Sequence, residues 1–348
     1  MKRIAYIITG LEVGGAEVQL LTVCEKLILD GYKVRVYSIS DKVSLLNKFN
    51  SSGVDVSVYP INKNPINIFL LFWSIIRFSP DILHSHMIHS NFFCGILSLV
   101  YFKPKYFMTV HNVEEGHNFI RWFVFKFIKK NRVRCSHVSN IGRNLYRDRT
   151  NVEIDLYINP INLDSFNNFQ RKRSNIVKWI NVASLTKQKQ HDLLLMAFNK
   201  YIKEYPNSTL TIVGEGRERS NIEKKIRELG LGKSVTLYGY CKNIPQVLYE
   251  ADAFVLSSAW EGLPVALVEA ATSGLPIVST NVGDVPLIVF DSKNGFLTNS
   301  GNINELFSAM LKLKNVNCLE SYSEYSMAKS KDFDIELIIK TLKIKYFS

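Results

Sequence analysis

Short apolar runs alternate with longer stretches of helical periodicity along this chain, and that alternation constrains its fold more than any other feature. Runs such as RIAYII, ILHSH, TLTIV and AFVL are too short for helices. Segments like these, each followed by a helical pattern, read as parallel strands covered by helices. A first series places strands at 3–9, 33–38, 55–59, 82–86, 106–110 and 134–139, with a helix at 16–30 that Gly31 closes. A polar stretch at 159–175, rich in Asn, Asp, Ser and Arg, reads as a linker. A second series follows, with strands at 177–182, 209–213, 234–237, 253–256 and 276–279 and helices at 191–205, 218–230, 244–250 and 266–273. The expected architecture is α/β, with two Rossmann-like βαβ domains, 1–165 and 166–330, facing a cleft. An apolar-periodic helix at 334–347 is expected to pack back on the first domain.

At 348 residues and 47% hydrophobic content the chain has enough material for two cores. The five cysteines are far apart and form no C-x-x-C pair, so neither a zinc site nor a disulfide framework is indicated. The amino terminus reads as a buried strand, and the apolar stretches at 66–78 and 92–102 break within about a dozen residues, short of the ~20 a membrane span needs. A cytoplasmic setting is expected. The net charge of +12 is uneven: between residues 101 and 150, eleven Lys and Arg face only Glu114, Glu115 and Asp148. Such a surface suits nucleic acid, an anionic membrane or a polyphosphate ligand. No nucleic-acid module is visible, and nucleic acid is not expected as a partner.

The chemistry is concentrated in three places. Gly14 and Gly15 fall between the first strand and its helix, where glycines let backbone N–H groups approach a phosphate, although a plain turn would look the same. His111, in FMTVHN, stands just past the carboxyl end of a strand, where open α/β sheets bind ligands. His84, His86 and His89 cluster after the preceding strand. No carboxylate or cysteine completes a metal site there, so packing or cleft lining is favoured over a metal. The third place is SSAWEGLPVALVEAATSGLPIVST. Glu261 lies in a loop after a buried strand, Pro264 suits a first helical turn, and Glu269 follows eight residues after Glu261. The helix start at Val265, Ala266 and Leu267 offers free N–H groups to a phosphate. Carboxylates on either side accept hydrogen bonds from paired sugar hydroxyls. A nucleoside diphosphate sugar has that pattern.

These residues resemble glycosyltransferase family 4, retaining enzymes of the GT-B fold, of the bacterial surface-polysaccharide type. The E-x7-E pattern of Glu261 and Glu269 carries the resemblance, with YEADAFVLSS, TIVGEG, VTLYGYCKNIPQVL, VASLTKQKQHDLLLMAF, GGAE and TVHN in matching order. It is dense in the second half and sparse between residues 40 and 105. The resemblance implies that Glu269 binds ribose hydroxyls and Glu261 a donor-sugar hydroxyl. Lys189 would neutralise the diphosphate with the N–H groups of Gly14, Gly15 and the Leu263–Leu267 turn, which includes Pro264. His111 would sit beside the transferred sugar, and Tyr240 and Cys241 against the base. It also implies metal-independent transfer of a sugar, with a UDP-sugar the first candidate, and no cofactor. Retention is expected, by front-face attack of the acceptor hydroxyl. The acceptor would be a glycan intermediate of lipopolysaccharide, capsule or exopolysaccharide synthesis, carried on a polyprenyl diphosphate. Ser184 stands where the family commonly has an arginine, which leaves Arg217 or Lys187 to compensate, and Gln190 stands where a glycine is usual. A sugar-nucleotide-binding protein impaired in catalysis is the alternative. The segment 119–130, alternating aromatic and basic residues, is read either as a peripheral face toward the inner leaflet of the cytoplasmic membrane or as an ordinary packed helix.

Overall fold

The computed structural model describes residues 1–12, 14–111, 133–166, 177–313 and 319–348. They form two compact units, Met1–Ile161 with Ile335–Ser348, and Asn162–Asp334. The segment 119–130 and residue 13 lie outside the described residues, as does 167–175 of the expected linker.

The first unit is built on a parallel sheet of β1 (Arg3–Ile8), β2 (Lys33–Ser38), β3 (Asp55–Val58), β4 (Ile82–His86), β5 (Lys105–Val110), β6 (Val133–His137) and β7 (Asp155–Leu156). Their spatial order is 3-2-1-4-5-6-7. The chain winds outward from β1 in one direction and then returns to continue from β4 in the other. Right-handed crossovers therefore place the helices of the two winding directions on opposite faces. Helix Gly15–Leu29 covers one face with Leu20, Val23, Cys24 and Leu27. Helices Ile66–Phe78 and Ile88–Val100 cover the other with Leu71, Ile75, Phe93 and Leu97. The last helix, Ile335–Phe347, joins the first of these cores through Ile335, Ile339, Leu342 and Tyr346, and the Tyr346 and Tyr6 hydroxyls are 3.0 Å apart.

The second unit repeats the plan with β8 (Lys178–Val182), β9 (Thr209–Val213), β10 (Val235–Gly239), β11 (Ala253–Leu256), β12 (Ile277–Thr280) and β13 (Gly295–Thr298), ordered 10-9-8-11-12-13 and all parallel. Its largest core gathers Trp179, Leu194, Phe198, Tyr201, Ile212 and Met310 beneath helices His191–Glu204 and Ile303–Lys312. The α/β expectation holds in both units. Strands β7 and β13 were not legible in the sequence, because DL and GFLT are too short and mixed to stand out as apolar runs. The apolar stretches near 66–78 and 92–102 lie on 13-residue helices. Among the described residues no helix is long and apolar enough to cross a membrane.

Strand order reverses between β1 and β4 in one unit and between β8 and β11 in the other. Loops at the carboxyl ends of such strands diverge and leave room for a ligand. The chemistry-bearing residues lie on or beside those loops.

Candidate functional site

In the second unit the two loops flanking the reversal are tied together. After β8 the chain runs through Ser184 into a tight turn, Lys187–Lys189, and then into helix His191–Glu204. After β11 it runs from Ser257 to Pro264. The Ala259 N–H donates to Gln188 O (2.8 Å), the Gln188 amide donates to Trp260 O (2.7 Å), and Ser257 Oγ donates to Lys189 O (2.8 Å). Lys189 Nζ then reaches Glu261 Oε1 at 2.5 Å, and Ser258 Oγ donates to the same oxygen at 2.6 Å. The Lys189 and Glu261 side chains are 14% and 7% exposed, so the ion pair is largely desolvated. A buried carboxylate held by a cation and a hydroxyl is fixed in place, since losing either partner would strand its charge. Nothing local to Lys189 along the chain signals that it is already paired, because its partner is 72 residues away.

Gln190 ends the turn in the left-handed region, at φ 47° and ψ 48°. This accounts for a glycine preference at that position: a Cβ is crowded there by about 1–2 kcal/mol. His191 follows, with Nε2 3.2 Å from Asn181 Oδ1; burial, with Lys189 nearby, pushes its imidazole down to about 4. On the far side of the site, the loop after β12 packs on Glu261. Gly283 has φ +58°, and a Cβ there would fall on the carbonyl oxygens of Glu261 and Gly262. Its amide neighbour Asp284 donates to Gly262 O at 2.9 Å.

Helix Val265–Thr272 starts at Pro264 with no side-chain cap. Leu263, Pro264 and Leu267 are buried. The Leu267 N–H is not free as the sequence suggested: the first turn closes tightly and bonds it to Pro264 O at 3.1 Å. Among the described residues the N–H groups of Val265 and Ala266 have no acceptor, so they are the donors this helix end presents. One turn later Glu269 keeps part of its surface accessible, yet burial pushes its carboxyl up to about 7. Its carboxyl group makes no hydrogen bond or ion pair among the described residues. Ser184 is exposed. The Glu218 N–H donates to Leu185 O at 3.0 Å, which brings the exposed Arg217 close to Ser184. Tyr240 is half-exposed and Cys241 partly buried, just past the end of β10.

In the first unit, Gly14 is the extended residue before helix Gly15–Leu29, and it too lacks a side-chain cap. The Glu17 carboxyl folds back against Gly14, into the space a Cβ would need, and burial raises its pKa. This helix end therefore already faces a carboxyl group three residues on. His111 follows β5, and its Nε2 lies 2.9 Å from His86 Nδ1. Burial, with His137 nearby, pushes His111 down to about 3, so its ring is neutral at physiological pH. His84 is a packing residue, with Nδ1 2.5 Å from the Tyr346 hydroxyl and Nε2 2.8 Å from Thr109 Oγ1. His84 and His86 stack with ring centres 4.4 Å apart, while His89 is exposed. Among the described residues no three His, Cys, Asp or Glu are grouped so as to hold a metal ion.

Residues 13–160 match the family model Glycosyltransferase Family 4, and residues 164–330 match Glycosyl transferases group 1. An uncharacterized glycosyltransferase of Haemophilus influenzae is 25% identical over 99% of both chains. The UDP-Gal:alpha-D-GlcNAc-diphosphoundecaprenol alpha-1,3-galactosyltransferase of Escherichia coli is 33% identical over 33% of this chain, and the match spans 30% of that enzyme's length. In fold, Alr3699/HepE of Anabaena, solved in complex with UDP-glucose, is similar with a TM-score of 0.84, covering 99% of each chain at 17% identity. With both halves matched and the doubly wound sheet repeated in each, the chain belongs to the family 4 type of glycosyltransferases, built on the GT-B fold.

Proposed function

We propose that the chain transfers a sugar from a nucleoside diphosphate sugar, with a UDP-sugar the first candidate, to a hydroxyl of a glycan acceptor. The observation that carries this reading is the helix start at Val265 and Ala266, whose two N–H groups have no acceptor among the described residues. It lies in sequence between a carboxylate locked to Lys189 and an unpaired carboxyl at Glu269. A diphosphate suits the N–H groups, and polyol ends suit the carboxyls. Glu269 would take the ribose hydroxyls and Glu261 a hydroxyl of the donor sugar. Tyr240 and Cys241 would lie against the base. The second unit would thus be the donor domain and the first the acceptor domain, with Gly14, Gly15 and His111 contributing from the latter.

The leaving diphosphate needs stabilisation as its charge grows, and preorganised donors supply it most effectively. Lys189 and the Val265–Ala266 amides would do so without a metal. Ser184 supplies only a hydroxyl, so Arg217, exposed nearby, and Lys187 would add the missing cation. His111 is neutral and would act as a hydrogen-bond partner of the sugar, since a ring held near 3 carries no proton to donate as a cation. Attack on the front face, with the departing phosphate taking the acceptor's proton, gives retention. The Escherichia coli relative acts on a diphosphoundecaprenol-linked sugar, which supports a lipid-carried acceptor of surface-polysaccharide synthesis here and work at the inner face of the cytoplasmic membrane.

A thermal-shift panel of UDP-, GDP-, dTDP- and ADP-sugars tests the reading. A donor at ~100 times its dissociation constant stabilises the fold by ~2.7 kcal/mol. One of the four should raise the melting temperature, and Glu269→Ala should abolish the rise. No shift with any of them would sink the donor site. A shift without turnover in the presence of acceptor would mark a binding protein impaired in catalysis.

A further inference from the structure

The first unit carries a second surface that the site does not use. Helix Ile66–Phe78 buries Leu71, Ile75 and Phe78 and turns Ile66, Phe69, Leu70 and Trp73 outward, with Phe69 74% and Trp73 66% exposed. Positions 66, 69, 70, 73 and 77 fall on one helical stripe, which the exposed Arg77 closes. Helix Ile88–Val100 does the same with Phe92, Ile96, Leu99 and Val100, and the exposed Phe102 follows it. Both helices share one core on one face of the sheet. Their carboxyl-terminal ends are joined where Lys103 Nζ donates to Ser79 O at 3.1 Å. Soluble monomers rarely expose a contiguous apolar patch beyond a few hundred Å². The exposed charges at its edge are Arg77, Lys103 and Lys105, while the exposed Lys63 is ion-paired with Asp41 at 2.5 Å. The sole carboxylate between residues 60 and 105 is Asp81, which accepts the Arg3 backbone N–H at 2.8 Å.

We propose that this double stripe seats the chain on an anionic lipid bilayer. Phe69, Trp73, Phe92 and Phe102 enter the boundary between headgroups and acyl chains, and the cations Arg77, Lys103 and Lys105 meet lipid phosphates. A second copy of the chain is the weaker occupant. Two-fold pairing would bring Arg77, Lys103 and Lys105 each against its like, and the carboxylates at the edge are already engaged, Asp81 by the Arg3 backbone N–H and Asp41 by Lys63. Lipid phosphate supplies the missing negative charge. This surface deepens the reading of a lipid-carried acceptor and involves none of the donor-site residues. The segment 119–130, read from the sequence either as a membrane face or as an ordinary packed helix, lies outside the described residues.

Co-sedimentation with phosphatidylcholine vesicles, with and without phosphatidylglycerol, tests the proposal. The chain should pellet with the anionic vesicles. Phe69→Ser with Trp73→Ser should weaken that binding ~10-fold or more while the circular-dichroism melt and the donor-induced thermal shift stay as in the wild type. Arg77→Gln with Lys103→Gln should remove the preference for anionic over zwitterionic lipid. Glu269→Ala should pellet like the wild type, which separates failure of this surface from failure of the donor site. A wild-type chain that ignores both vesicles, or a Phe69→Ser/Trp73→Ser variant that binds as well as the wild type, overturns the proposal. So does a solution dimer that this variant converts to monomer, because the patch would then belong to a second copy.

Discussion

Glu269 ties stability to pH in a direction opposite to that of most carboxylates. Its carboxyl is pushed from the ordinary 4.5 up to about 7 by burial, with no cation among the described residues to hold it ionised. The folded chain therefore keeps this proton at a pH where the unfolded chain has lost it. Stability from the protonated group is fully present below 4.5, declines as pH rises, and is gone above about 7. At about 1.4 kcal/mol per pH unit, the gap amounts to about 3 kcal/mol, an upper figure because the side chain stays partly accessible to water. Glu269→Gln preserves the shape and removes the titration. Urea unfolding of both proteins at pH 5, 6, 7 and 8 should show the wild type losing up to about 3 kcal/mol relative to the variant across this range, with most of the change below pH 7. A wild-type-minus-variant difference that stays constant within about 0.5 kcal/mol from pH 5 to pH 8 would refute the account. The same proton couples to the proposed ligand. Ribose hydroxyls donate to the ionised carboxylate, so a UDP-sugar should give a larger thermal shift at pH 8 than at pH 6.

Two further substitutions probe the loop pair. Lys189→Ala strands the Glu261 charge in a largely desolvated place and should cost about 3–5 kcal/mol in denaturant unfolding; adding Glu261→Gln should recover much of that loss. Gln190→Gly relieves a left-handed residue bearing a Cβ and should raise stability by about 0.5–1 kcal/mol in the same assay, with the donor-induced thermal shift unchanged.

The sequence by itself determined the layer architecture. Buried parallel strands are apolar on both faces, so runs such as RIAYII and AFVL announce themselves without reference to their neighbours. It also marked the helix start at Val265, because Pro264 has a strong local preference for a first turn. The order of the strands rests on pairing between strands remote in sequence, such as β1 with β4 and β8 with β11, and the edge strands β7 and β13 were defined only by the neighbours they pair with. The partnerships within the candidate site were likewise a matter of tertiary structure. Lys189 and Glu261 are 72 residues apart, and their pairing depends on β8 and β11 lying side by side. His84 meets Tyr346 across 262 residues, because the last helix returns to the first unit. Spacing along a chain reports which side chains share one helix or strand. It is blind to contacts closed by a sheet, and those contacts paired Lys189 with Glu261, left the Glu269 carboxyl without a cation among the described residues, and put two helices with apolar outer stripes over one face of the first sheet.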